Sequence, residues 1–431
     1  MRYLAIALTT ILTSFYFFPF EFLFLPGANT KMIMAGFGLV LFFYNMARGG
    51  HGALNRDVFK LSVWAMVVSL IALAAVAYNE TPDYTYATYI VSMWVWLGGA
   101  YTTTQLIKAV HGKLTIVLVC NYLIGVCTAQ CIIAYAADMY PWLKNWIDSF
   151  LASEGFMGKA EDRIYGIGAS LDVAGMRFAT MRVVITYLVL NSKEGLSSVR
   201  TLYYLVSFLI IGYVGNMIGR TTSVGMGVSL VYALWVTFTQ PDRSPNARMF
   251  WKMLTVALVI IVPYAVYKYN TSAAMHERIR FAFEGFFSLA EKGHWETHSN
   301  EILKSMYVLP DNAKTWLIGD GYFDNPIGSD PYYTGKIWGG FYHGTDVGYL
   351  RFIFYFGIFG LLAFMAYMWK TAQACMRRFA EHRMLFALVL MMNYIVWFKV
   401  SSDLFLFFAL FLCLPAEEES TQPVQAAQNS N

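Results

Sequence analysis

Charge is what this chain has least of. Lys, Arg, Asp and Glu together make up 13% of its 431 residues, about half the ~25% of an ordinary soluble domain. Hydrophobic residues reach 58%, and mean hydropathy is +0.48. These values exclude a soluble globular chain and lead to an integral membrane protein. Proline is scarce as well, at 12 residues, and its near absence from the apolar segments lets helices run through them. The five cysteines (Cys120, Cys127, Cys131, Cys375 and Cys413) lie in apolar segments or beside basic turns. None falls in a long polar loop, so no disulfide framework is implied. No internal repeat is visible, which leaves inverted-repeat transporter architecture without support. The net charge of +4 forms no nucleic-acid footprint, and no nucleic-acid partner is expected.

What the chain does have is long apolar runs. A helix needs ~20 mostly apolar residues to cross ~30 Å of hydrocarbon. The qualifying windows are 3–22, 32–47, 59–78, 87–108, 114–137, 174–191, 201–218, 221–239, 251–269, 347–369 and 384–415. The last is too long for one span and is interrupted by Lys399, Ser401, Ser402 and Asp403, so it is split near residue 400. The fold class expected is an all-α polytopic transmembrane bundle of about twelve spans. No A-x-A-like site follows the first window, so a span rather than a cleaved signal peptide is expected there.

Lysine and arginine orient the bundle. With the N-terminus inside, the short cytoplasmic segments hold Arg2; Arg48, Arg56 and Lys60; Lys108 and Lys113; Lys193 and Arg200; Arg243, Arg248 and Lys252; and Lys370, Arg377, Arg378 and Arg383. The loop 79–86 on the opposite side has Glu80 and Asp83 and no base. Both termini are then cytoplasmic, and the polar tail 416–431 is expected to be disordered. Spans one to nine occupy 1–267, with an extracytoplasmic loop at about 138–171. A large, mainly helical extracytoplasmic loop covers 268–346, and spans ten to twelve cover 347–415. In the first loop, Trp142, Trp146 and Phe150 recur at four-residue spacing, which suits an interfacial helix. The second contains MHERIRFAFEGFFSLAEK and NEILKSMYVL, two helix-like stretches, then a Gly/Asp/Tyr-rich coil.

Once the cytoplasmic bases are removed, several charges remain near the outer ends of the spans: Arg177, Arg182, Arg220, Arg351, Lys399 and Asp403. An intramembrane charge costs ~2.5–3.5 kcal/mol on insertion scales. Arginines near helix ends can snorkel, and Arg351 with Asp346 or Lys399 with Asp403 offer possible ion pairs. As a set from at least three helices, with no comparable surplus of acids beside them, the arginines suit a shared anion. Guanidinium binds phosphate bidentately and stays charged. A membrane-embedded diphosphate is an anion found at this depth. The large loop has seven bases and ten acids between Lys268 and Asp346, so it is no polyanion surface. Its aromatics are Trp295, Trp316, Trp338, Tyr322, Tyr332, Tyr333, Phe341 and Tyr342. They suit either the loop's own small core or, for two or three of them, a cleft for neutral sugar rings.

Several short motifs occur in order. WLIGDGYFD (316–324) precedes DVGYL (346–350) and GIFG (357–360). Arg177 stands in GMRFATMR after the first long loop, and Arg220 in GRTTSVGMG at an outer turn. Over about residues 170–415 this resembles the surface-polysaccharide family that includes O-antigen polymerases and O-antigen ligases. The ligases carry a histidine in H-N-x-x-L, eleven residues before the first glycine of G-x-x-G. Here that position is Asp346, as in the polymerases, with His343 three residues upstream.

The resemblance implies a bacterial inner-membrane, multi-pass glycosyltransferase with its active site facing the periplasm. It would move a growing glycan from undecaprenyl diphosphate to a lipid-linked repeat unit. Arg177, Arg220 and Arg351, with Arg182 and Lys399, would hold the diphosphate. Asp346, or alternatively His343, would act as the base. Asp320, Tyr322 and Tyr349 would meet sugar. Donor and acceptor would both be undecaprenyl-diphosphate-linked oligosaccharides, and membrane lipids and a chain-length regulator would be further partners. No cofactor is expected. Many cytoplasmic glycosyltransferases bind a metal through D-x-D, and this chain has no D-x-D, so metal independence is expected. The rival readings are a ligase and a transporter or flippase of lipid-linked sugar.

Overall fold

The computed structural model describes residues 2–48, 56–152, 163–192, 195–240, 242, 244–326 and 340–415. In chain order, α1 (Arg2–Phe17) and α2 (Thr30–Ala47) lead to α3 (Arg56–Asn79), α4 (Tyr89–His111) and α5 (Ile116–Met139). A short α6 (Pro141–Asp148) precedes α7 (Leu171–Leu190), α8 (Ser198–Ile218), α9 (Thr222–Thr239) and α10 (Ser244–Thr271). Four short helices follow: α11 (Ala273–Ala282), α12 (Glu284–Lys292), α13 (His298–Ser305) and α14 (Ala313–Leu317). The last three are α15 (Gly348–Arg378), α16 (Arg383–Val396) and α17 (Phe405–Leu412). Among the described residues the fold is all-α, and strand pairing is limited to isolated bridges such as Asp324 with Phe341.

Among the described residues, eight helices are long and apolar enough to cross a membrane: α2, α3, α5, α7, α8, α9, α10 and α15. The remaining windows contain α1, α4, α16 and α17, which do not reach that standard. α1 ends at Phe17, earlier than its apolar window, because Phe18 precedes Pro19 and a residue before proline is disfavoured in helical geometry. The expected split near residue 400 lies between α16 and α17. There Asn393 Oδ1 accepts from Leu404 N at 2.8 Å, and Trp397 Nε1 donates to Ser402 O at 2.7 Å. The helix-like stretch 275–292 is two helices, broken at Phe283. Trp142 and Trp146 of α6 are exposed, while Ile147 on the same helix is buried. The Lys193, Arg243, Tyr332, Tyr333, Trp338 and 416–431 tail assignments lie outside the described residues.

Helix ends sort into two groups. At one end, Tyr187 meets His382, Asn246 reaches Leu190 O, and Arg378 reaches Leu412 O. At the other, Asn79 donates to Gly319 O, Tyr349 N to Trp397 O, and Lys399 to Asp172. The second end carries α11–α14 and the odd charges. α7 is the centre of the bundle: 94% of its span is buried, against 17% for α10. Of the eight candidate spans, the helix with Asp172, Arg177 and Arg182 is therefore the most buried.

The WLIGDGYFD and GIFG motifs come together. α15 breaks at Phe356 and Gly357, where Gly357 has φ 69°. The break frees carbonyls, and Asp320 N and Gly321 N donate to Phe354 O (2.6 Å) and Tyr355 O (3.1 Å). Two backbones must approach closely for this. A Cβ on Gly357 would lie 2.2 Å from Leu317 O, and one on Gly319 2.5 Å from Tyr355 O. Both positions also have positive φ, so glycine is required twice over.

Candidate functional site: a cation-lined cavity

A 660 Å³ cavity opens between α8, α9 and α10 and is covered by α12 and the segment leading to α13. Its long wall is apolar, from Phe208, Leu230, Leu254, Leu258 and Ile261. Arg182, Arg220 and Lys399 also line it. They come from α7, from the tight turn between α8 and α9, and from the break between α16 and α17. Three of the expected five cations therefore share one space.

Their partners differ. Arg182 is 3% exposed. Its Nη2 lies 3.2 Å from Met226 Sδ, its guanidinium sits over the Phe208 ring at 4.5 Å, and its Nε has no partner. Among the described residues no carboxylate pairs with it. Arg220 Nη1 donates to Glu284 Oε2 at 2.6 Å, while its Nε is also without a partner. Lys399 donates to Asp172 at 3.0 Å, not to Asp403, and lies 3.4 Å from Thr221 Oγ1. Tyr213 lines the same cavity, with its buried hydroxyl unbonded. A buried donor left unmade costs ~1–3 kcal/mol. Arg182, Arg220 and Tyr213 each keep one such donor on a side chain that lines the cavity.

Depth separates the cations. Arg177 and Arg182 are the seventh and twelfth residues of α7, so Arg182 lies about 7 Å further along the axis. A single layer of charge is not what forms. Arg177 is elsewhere too: its Nη1 takes Phe17 O at 2.5 Å, the carbonyl freed where α1 stops, and Phe17 and Phe18 flank it. It does not line the cavity.

Arg351 belongs to a separate knot. Nη2 binds Asp324 (2.6 Å) and Phe323 O (2.8 Å), Nη1 binds Ser401 Oγ (2.9 Å), and the Phe323 ring stacks at 3.6 Å. The expected shortage of acids thus fails for Arg220, Lys399 and Arg351. Glu284, Asp172 and Asp324 reach them from other elements.

Asp346 is not among the described residues that line the cavity and stands beside Arg351. Its carboxylate is 3.8 Å from Arg351 Nη1, its one direct polar contact among the described residues. Burial pushes its pKa up to about 7, against the opposing pull of Arg351, with Asp172 and Lys399 also within its field. A carboxyl titrating near neutrality suits proton abstraction. His343 is exposed, sits at φ 52°, and packs on Phe354 at 4.6 Å.

The three sugar candidates have structural partners. Asp320 is held by Lys314 and Thr315, each at 2.7 Å. Tyr322 stacks on Tyr342 at 5.5 Å, and Tyr349 donates to Tyr394 O at 2.9 Å. Of the loop aromatics, Trp295 lines the cavity. Residues that sequence reasoning passed over are Asp172, Glu284, Tyr213 and Arg163, the last 3.9 Å from Asp172. Asp172 had a signal, as an acid beginning an apolar helix five residues before Arg177. Compared with protein-family models, curated proteins and solved structures, the chain matches none.

Proposed function

We propose that this chain is a surface-polysaccharide polymerase of the bacterial inner membrane, with about twelve spans, both termini cytoplasmic and the cavity at the periplasmic face. The observation that carries the reading is the cavity itself. It offers an apolar trough open toward the lipid-facing helix α10, with Arg220, Lys399 and Arg182 converging on it. That combination fits an isoprenoid chain joined to a diphosphate. The order of the motifs supports the choice of polymerase, with Asp346 at the position where ligases carry histidine.

The chemistry follows from these residues. Asp346 accepts the proton of an acceptor sugar hydroxyl. The hydroxyl oxygen bonds to the donor's anomeric carbon as that carbon's bond to the diphosphate oxygen breaks. The diphosphate leaves with the bonding pair, and Arg220, Lys399 and Arg182 meet the charge it gains. One displacement of this kind inverts the anomeric centre. Arg177 and Arg351 are reassigned in this reading: Arg177 fixes α1 to α7, and Arg351 holds the 323–324 segment and sets the field at Asp346. A chain-length regulator is the protein partner proposed.

A second reading, transport of a lipid-linked oligosaccharide, draws on one observation, the depth of Arg182 in α7. The test is elongation by purified protein in detergent, given one defined lipid-linked repeat unit and EDTA. A ladder of products supports polymerisation. A folded protein that leaves the unit unextended, yet moves it across vesicle bilayers, would support transport.

A further inference from the structure

Among the described residues lining the cavity, Glu284 is the one carboxylate, and it occupies Arg220. Its two oxygens do different work. Oε2 accepts from Arg220 Nη1 at 2.6 Å, and Oε1 accepts from His298 N at 2.9 Å, where α13 starts. Glu284 therefore ties the beginnings of α12 and α13 to a cation of the bundle. The two helices and their connection form one folded unit. Ser288 Oγ donates to His294 O at 2.8 Å and accepts from Glu296 N at 3.0 Å. Trp295 lies flat on Gly285, where a Cβ would come within 2.2 Å of the indole. Arg278 pairs with Asp138 on the α11 side, outside the cavity. Beneath the ion pair, the Phe281 ring meets Arg220 at 3.8 Å and Arg163 at 5.3 Å. The cover is thus held over the cavity by an ion pair to one of the cations that line it.

We propose that Glu284 is a placeholder anion: a phosphate-bearing amphiphile entering the cavity displaces it from Arg220, and the displacement unlatches α12 and α13 from the bundle. A carboxylate and a phosphate cannot both hold the same guanidinium edge. Loss of the Arg220 contact also removes the anchor through which Oε1 fixes the start of α13. Ligand affinity and cover opening are then two readings of one exchange. The inference rests on the cavity as a phosphate-lipid site, but not on glycosyl transfer.

The test uses the full chain in phosphatidylcholine nanodiscs, with farnesyl diphosphate, inorganic pyrophosphate and farnesol as probes. Hydrogen exchange over 284–305 and probe affinity are measured. In the wild type, farnesyl diphosphate speeds exchange in this segment. Pyrophosphate does so at higher concentration, which separates a lipid headgroup from free phosphate, and farnesol does not. Glu284→Gln exchanges fast without any probe and binds farnesyl diphosphate up to about fivefold more tightly, the upper range for removing one partly exposed ion pair. Unchanged or slower exchange in the liganded wild type, or weaker binding by Glu284→Gln, overturns the latch. Absence of diphosphate binding overturns both the latch and the cavity reading. Binding with faster exchange, in a protein that elongates nothing, keeps the latch and removes only the polymerase.

Discussion

The Arg351 knot and the Arg182–Arg220–Lys399 cavity lie at the same end of the bundle, and their two most buried cations, Arg351 and Arg182, have different partners. Arg351, 5% exposed, spends its terminal nitrogens on Asp324, Phe323 O and Ser401 and stacks on Phe323. Arg182, 3% exposed, has a thioether, an aromatic ring and an unbonded Nε. Each keeps a buried Nε without a partner; what differs is the terminal nitrogens, which meet a carboxylate, a carbonyl and a hydroxyl in Arg351 but only a thioether in Arg182. Burial alone therefore does not separate the two; the absence, among the described residues, of a carboxylate partner at Arg182, beside a cavity, does.

Arg351→Ala should break the first side of this comparison most severely. The carboxylate of Asp324 is 47% exposed, so the larger loss is the buried guanidinium's contacts with Phe323 O, Ser401 and the Phe323 ring, which hold the 323–324 segment. The variant should fail to accumulate as folded monomer in size-exclusion chromatography. If Arg351→Ala folds and elongates normally, the knot is not structural.

Asp346→Asn should leave the fold intact and lower elongation by about 10²–10⁴-fold, the usual contribution of a positioned base. The wild-type rate should rise with pH through about 7, where Asp346 loses its proton. The effect on stability has the opposite sign. With its pKa raised by folding, the native carboxyl holds a proton that the unfolded chain has released, so stability falls as pH rises from about 4 to 7. Asn removes that slope, and melting measured at pH 8 should move up relative to the wild type. A pH-independent rate would sink the assignment to Asp346.

Arg220→Lys should lower elongation by about 10- to 100-fold, because a point charge replaces a bidentate fork. Melting should change little, since Lys can still meet Glu284. Arg182→Gln should be the mildest for the fold: melting stays level or rises, because no carboxylate is stranded, while farnesyl diphosphate affinity drops several-fold in a titration. A large loss of stability in Arg182→Gln would place Arg182 with Arg351 and erase the contrast.

Eight of the expected spans were legible because hydropathy over a long window is set by the solvent each helix meets. The break near residue 400 was legible from Lys399, Ser401, Ser402 and Asp403. The end of α1 was not recovered from hydropathy, although Pro19 carried the signal. Of the site, the residue types could be read, but their sorting could not. Arg177, Arg182, Arg220, Arg351 and Lys399 look alike in sequence. What divides them is a carbonyl from α1, a carboxylate from α12, an acid at 324 and an acid at 172, each fixed only when distant helices meet. Tyr322 and Tyr349 were read as sugar contacts for the same reason. Their partners, Tyr342 and Tyr394 O, are set by the fold of the loop and by the α15–α16 contact.

The most direct test is a structure of the full chain determined with undecaprenyl diphosphate in a nanodisc. The account predicts phosphate density between Arg220, Lys399 and Arg182, with the chain lying along α9 and α10 and Glu284 withdrawn from Arg220. Diphosphate bound at Arg177 or Arg351 instead, with the Arg220–Glu284 pair intact and the cavity occupied by ordinary lipid, would contradict it.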